Sequence, residues 1–145
     1  QLTAAVAVGS NPQFQTGGGG GTVEKDVVKV VSEDIAKLDT EIDSTIKQNY
    51  DLIVVGGPCV NRIAAELLGK TFPACGAASG IPENAALIRV FPDKYAPGKT
   101  AVLIAGWTAD NTKKACEMLM KDQITSTAKA VKIVDSTWEE LTVEE

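Results

Sequence analysis

The stretch DLIVVGGPCVNRIAAELLG, residues 51–69, decides the fold. Leu52–Val55 is a near-continuous apolar run between Asn49-Tyr50-Asp51 and Gly56-Gly57-Pro58. Short, rich in β-branched residues and flanked by breakers, it predicts a strand. Asn61–Leu68 follows as a helix, with Asn61 as its N-cap and Gly69 as its C′ stop. A strand leading through a glycine turn into a helix is the unit from which α/β domains are assembled.

Working downstream, Lys70–Asn84 is rich in Gly, Ala and Pro and reads as a loop. Ala85–Phe91 and Thr100–Ala105 are two further strands. The short Asp93–Lys99 connection, with Ala96-Pro97-Gly98, predicts a hairpin between them. Asp110–Lys121 reads as a helix capped by Asp110 or Asn111, with Ala115, Met118 and Leu119 on its inner face. Ala128–Val134 reads as the last strand, and the tail with Glu139-Glu140 and Glu144-Glu145 as frayed.

Working upstream, Ser32–Gln48 places Ile35, Leu38, Ile42 and Ile46 at spacings of 3, 4 and 4, which predicts one helical face with Ser32 as N-cap. The alternative is a helix that begins only near Thr40. Asp26–Val31 reads as a β segment from its valines, with helix as the other option. Leu2–Val8 reads as a buried strand closed by Gly9-Ser10-Asn11. Between these lies Asn11–Thr22, whose five glycines Gly17–Gly21 lose too much backbone entropy on ordering to hold regular structure. The whole chain, 1–145, therefore reads as a single α/β domain with a flexible Gly-rich linker at 11–22. The expected architecture is a Rossmann-like layered domain: a mixed, largely parallel sheet with helices packed on it.

Composition narrows the function. The chain has 145 residues, 14 Lys+Arg against 19 Asp+Glu, and a net charge of −5. No Lys/Arg cluster supplies an electrostatic footprint for nucleic acid. No apolar run approaches the ~20 residues of a membrane span. Gln1 opens the chain without a basic n-region or an apolar h-region, as expected of a processed or trimmed chain. Histidine is absent, which removes the commonest general base and the commonest metal ligand. No Asn-x-Ser/Thr triplet is present, so N-glycosylation is not expected.

The candidate sites each have a plain structural reading. Gly56-Gly57-Pro58-Cys59-Val60-Asn61 joins a strand to a helix, where backbone N–H groups can hold a phosphate. Its spacing matches neither G-x-G-x-x-G nor G-x-x-x-x-G-K-S/T, and Pro58 removes a donor. A tight turn packed on its neighbour is the simpler reading. Three cysteines, Cys59, Cys75 and Cys116, lack the fourth ligand of a zinc site, and only Lys or Arg is available to activate a thiol. Asp34, Asp39 and Glu41, with Lys37 and Lys47 nearby, read as a solvated face rather than an acid/base pair. Trp107, at the end of a strand, reads as packing over a helix start, with sugar binding as the other option. No cofactor or metal is implied.

Three of these segments together carry a resemblance. LDTEI (38–42), DLIVVGGPCVNRIAAELLG (51–69) and AVLIAGWTADNTKKACEML (101–119) resemble the C-terminal family segment of archaeal surface-layer (S-layer) proteins. That family shows an LDxE segment, a strand leading into a GGPxVN turn, and a later strand–helix carrying AG-W/Y-x-A-x-D/N-T. Here these are Leu38–Glu41, Gly56–Asn61 and Val102–Thr112, and the similarity runs from Asp34 to Leu119. AVAVGSN (5–11) resembles the strand and turn that open the partner N-terminal segment of the same proteins. A long insertion separates those segments in the family, and the five glycines stand where it would be. The resemblance implies an extracellular, structural, self-associating cell-surface domain and no catalytic residue. Its partner is itself, in a lattice or filament, with other envelope components as further partners. The alternative is a Rossmann-like small-ligand module or small enzyme that holds an anion or nucleotide at Gly56-Gly57. An S-layer protein matures where thiol pairs oxidise, so the resemblance also implies a Cys59–Cys75 disulfide. Lys70–Ala74 must then return along a helix of roughly 12 Å, which five or six extended residues can do at ~16–20 Å. Three reduced, buried cysteines are the other reading.

Overall fold

A computed structural model describes residues 35–143. The expectations for Leu2–Val8, the linker at 11–22, Asp26–Val31 and the Ser32 cap lie outside them. In chain order the described elements are α1 (Ser44–Asn49), β1 (Leu52–Val55), α2 (Arg62–Leu67), β2 (Ala85–Pro92), β3 (Thr100–Gly106), α3 (Ala109–Met120), β4 (Ala130–Val134) and β5 (Thr137–Glu140), with short 3-10 turns at Asp39–Glu41 and Gly76–Ser79.

The strands form one mixed sheet of five in the order β1-β3-β2-β4-β5. Among the described strands only β1 and β3 pair in parallel, from Leu52 opposite Ala101 to Val55 opposite Ile104. The pairs β2–β3, β2–β4 and β4–β5 are antiparallel. The expectation of a largely parallel, Rossmann-like sheet is therefore corrected. β1, β3 and β4 do point the same way, but β2 is inserted between β3 and β4. The reason lies in the connections: the turn after β2 and the two-residue turn after β4 are too short for a crossover, so each must return antiparallel. Asp93 and Asp135 take positive φ (55° and 53°) in these two turns, a conformation that Asp tolerates better than most side chains.

The two faces of the sheet carry different helices. Ile63, Ala64 and Leu67 of α2 pack with Val54, Phe91, Ala101, Leu103 and Ala105, and Ile81 of the 68–84 loop joins them. Ala115 and Met118 of α3 pack with Ala86, Ile88, Ile104, Val131 and Ile133. The alternation of β3 explains the division: Ala101, Leu103 and Ala105 face α2, while Val102 and Ile104 face α3. Leu103, with no exposed surface, sits at the centre.

Two local expectations are also corrected. The helix expected from Ser32 does not run through the described part of that segment. Glu41 accepts a bond from the Leu38 N–H at 2.7 Å, Ile42 is extended (φ −85°, ψ 93°), and α1 starts at Ser44 with Asp43 accepting from the Ile46 N–H at 2.8 Å. Two carboxylates that bond to backbone, Glu41 at the Asp39–Glu41 turn and Asp43 at the start of α1, divide what the apolar spacing suggested as one helix. The tail expected to fray contains β5: Trp138 lies opposite Ile133 and donates its indole N–H to the Gln123 carbonyl at 2.9 Å. No described helix is long and apolar enough to cross a membrane.

Candidate functional site

The two glycine turns singled out in sequence, at Gly56–Asn61 and Gly106–Thr112, meet at one end of the sheet, because β1 and β3 run in parallel and their following turns lie side by side; Asp34 lies outside the described residues. The Gly56 N–H donates to the Ile104 carbonyl at 2.9 Å, continuing the β1–β3 ladder into the turn. Gly56 takes φ +110°, a conformation that side chains rarely adopt. The Gly57 carbonyl accepts from both Val60 and Asn61 N–H at 3.1 Å, and Pro58 is fully buried.

Asn61 holds the turn from three sides. Its side-chain oxygen accepts from the Ile63 and Ala64 N–H groups at 2.9 and 3.1 Å, and its amide nitrogen donates to the Val55 carbonyl at 3.2 Å. The Arg62 N–H donates to Asp39 at 2.8 Å, and the Ala65 N–H to the Asn61 carbonyl at 3.1 Å. The leading N–H groups of α2, which a phosphate would need, are thus taken up within the chain. Asp39 lies 23 residues before Arg62, so no local sequence signal announces this contact.

The neighbouring turn is built in the same way. The Gly106 N–H donates to the Thr112 hydroxyl at 2.9 Å, and the Trp107 N–H to the Ala85 carbonyl at 2.8 Å. Thr108, not Asp110 or Asn111, is the N-cap of α3. Its hydroxyl accepts from the Asn111 N–H at 3.2 Å, and the Asn111 side chain accepts from the Thr108 N–H at 3.0 Å. The T-x-x-N spacing of a reciprocal cap was present in the sequence and is the signal that finds it. A Cβ on Gly106 would stand 2.3 Å from the Thr112 backbone nitrogen, so α3 approaches the strand as closely as glycine alone permits. Trp107 is half-buried on the α2 side of the sheet.

Cys59 and Cys75 are joined in a disulfide with their Cα atoms 4.6 Å apart, and the Ala74 N–H donates to the Pro58 carbonyl at 3.0 Å beside it. Cys116 is free and half-buried, and burial pushes its thiol pKa up, away from a reactive thiolate. The carboxylates of Asp39 and Glu41 bond backbone N–H groups rather than each other. Lys47 pairs instead with Glu66 at 2.6 Å and lies 5.1 Å above the Tyr95 ring. Burial, with a contribution from the Glu66 charge, pushes the Tyr95 pKa up to about 12.

No group of three His, Cys, Asp or Glu among the described residues is placed to hold a metal ion. A shallow depression of about 130 Å³ on the β4–β5 hairpin, lined by Lys132, Val134, Thr137, Trp138 and Glu139, is smaller than a small-molecule site of ~300 Å³ or more.

This arrangement defines a structural domain: the motif side chains at this end of the sheet hold turns and helix starts in place. The profile of the S-layer like family, outer domain, matches residues 7–123, and the chain belongs to that family. No curated protein and no solved structure matches the chain. Membership gives the protein a structural role at the cell surface and speaks for a non-enzyme.

Proposed function

We propose that this chain is a self-assembling domain of an archaeal S-layer or a related extracellular array, and that its partner is a second copy of itself. The observation that carries the reading is the family match over residues 7–123. The chemistry of the glycine turns supports it. Asp39, Asn61, Thr108, Asn111 and Thr112 are bonded to backbone groups, which leaves the turn rigid and its donors occupied. A lattice subunit needs stability and a self-complementary surface rather than a reactive group. The Cys59–Cys75 bond accords with an extracellular place, because disulfides persist in oxidising surroundings.

Electron microscopy of the concentrated full chain, with and without divalent cations, tests the proposal. Ordered sheets or filaments are expected. A protein that stays monomeric by light scattering at every concentration and cation level would overturn it.

A further inference from the structure

We propose that the Cys59–Cys75 disulfide is a solvent-accessible latch, opened by low-molecular-weight thiols, that holds the 68–84 loop over the core while the sheet stands without it. Both cysteines are exposed, and thiol–disulfide exchange depends on access of the attacking thiolate. The exchange consumes two small thiols. The first thiolate attacks one protein sulfur and releases the other as a protein thiolate. The second displaces the first from the mixed disulfide, which leaves two protein thiols and one small-molecule disulfide.

The two ends of the bond are held very differently, and this asymmetry makes it a latch. Cys59 lies in a turn fixed by the Gly56 N–H to Ile104, by two N–H groups on the Gly57 carbonyl, and by Asn61 on three partners. None of these bonds involves the cysteine side chain. Cys75 lies in a segment whose only regular structure is the 3-10 turn Gly76–Ser79. Near the bridge that segment has the Ala74 N–H to Pro58 and the Arg62 guanidinium over the Phe72 ring. It is otherwise tied by backbone at its ends, through the Lys70 N–H to Ala65 and the Asn111 amide to the Asn84 carbonyl, and within itself by Ala78 N–H to Cys75, Gly80 N–H to Ala77 and Ile81 N–H to the Ser79 hydroxyl.

The loop nevertheless carries core. Ala74, Ser79 and Ile81 are all at most 5% exposed, and Ile81 packs in the cluster with Val54, Ile63 and Leu67. Cutting the bond frees the Cys75 side, so Ile81 lifts away and the α2 face of the core is uncovered. Opening of this kind is local when few backbone bonds tie a segment to the rest. Trp107 reports on the event, since its ring lies 3.9 Å from where a Cβ on Gly76 would stand.

Hydrogen exchange of the full chain, with and without dithiothreitol, tests the latch. Under reductant the amides of Ala74, Ala78 and Ile81 should lose their protection, while β1, β2 and β3 remain protected. Tryptophan emission should shift to the red, and that shift should be missing in Trp107→Phe. The Cys59→Ser/Cys75→Ser double variant should show the opened pattern without reductant, and Cys116→Ser should behave as the unchanged protein. Unaltered protection of the loop after reduction would overturn the latch. So would loss of protection throughout the sheet, or an intact mass showing that Cys59 and Cys75 are unbonded before reductant is added.

Discussion

Gly106→Ala is the most direct test of how α3 is seated. Gly106 ends β3, and its φ lies outside the positive range that disfavours side chains, so backbone strain adds nothing to the cost. The cost is contact. An added Cβ would lie 2.3 Å from the Thr112 nitrogen, 2.6 Å from the Asn111 Cβ and 2.7 Å from the Asn111 carbonyl carbon. The nearest of these is backbone and cannot swing aside, so the start of α3 must back off by about 1 Å to reach ordinary contact. Overpacking of this kind costs about 1–3 kcal/mol. As α3 withdraws, the Gly106 N–H loses the Thr112 hydroxyl, which adds about 1 kcal/mol. The expected destabilisation is about 3 kcal/mol, which lowers Tm by ~10 °C in a unit of this size. Two other glycines calibrate the experiment. At Gly57 a Cβ would meet only the Gly106 carbonyl oxygen at 3.4 Å and Ile81 at 3.7 Å, so Gly57→Ala should cost under ~1 kcal/mol. At Gly98 nothing lies within 4 Å but φ is +76°, so Gly98→Ala should cost about 1 kcal/mol through its left-handed backbone. Calorimetry and urea titration followed by circular dichroism measure all three. A Gly106→Ala protein that melts within 2–3 °C of the parent, or an order in which Gly57→Ala is the worst, would refute the close-packing argument.

Other consequences follow from the same contacts. Asn61→Ala, which strips two N–H groups of their acceptor, should cost ~1–2 kcal/mol, and Asp39→Ala about 1 kcal/mol or less, both read from the urea midpoint. Tyr95 holds its proton more tightly folded than unfolded, so its contribution to stability is complete below pH 10 and is lost as pH rises toward 12. An absorbance titration of the phenol in a Tyr50→Phe background measures this, and Glu66→Gln should bring the midpoint down, because one of the two causes is removed. Nucleotides and sugar phosphates should leave Tm unchanged, since the α2 N–H groups are already bonded; a true ligand at 100 times its Kd would add ~2.7 kcal/mol.

The sequence by itself determined what depends on neighbouring residues. Leu52–Val55 was legible as a strand because it is short, β-branched and bounded by breakers. Asn61 was legible as a cap because its side chain reaches N–H groups only two and three residues away. The β2–β3 hairpin followed from a connection too short for anything else. What chain separation hides was decided only by the tertiary structure. β2 is inserted between β3 and β4, so a mostly antiparallel sheet replaces the mixed, largely parallel one that alternating strands and helices suggested. Asp39 satisfies Arg62 across 23 residues, and Asp43 caps the start of α1, so the helix begins at Ser44 rather than at Ser32 as the spacing of Ile35, Leu38, Ile42 and Ile46 favoured. Apolar periodicity records which face a segment would bury, but whether the segment is helical is settled by where its backbone finds hydrogen-bond partners. Those partners are fixed only when the strands have found their order.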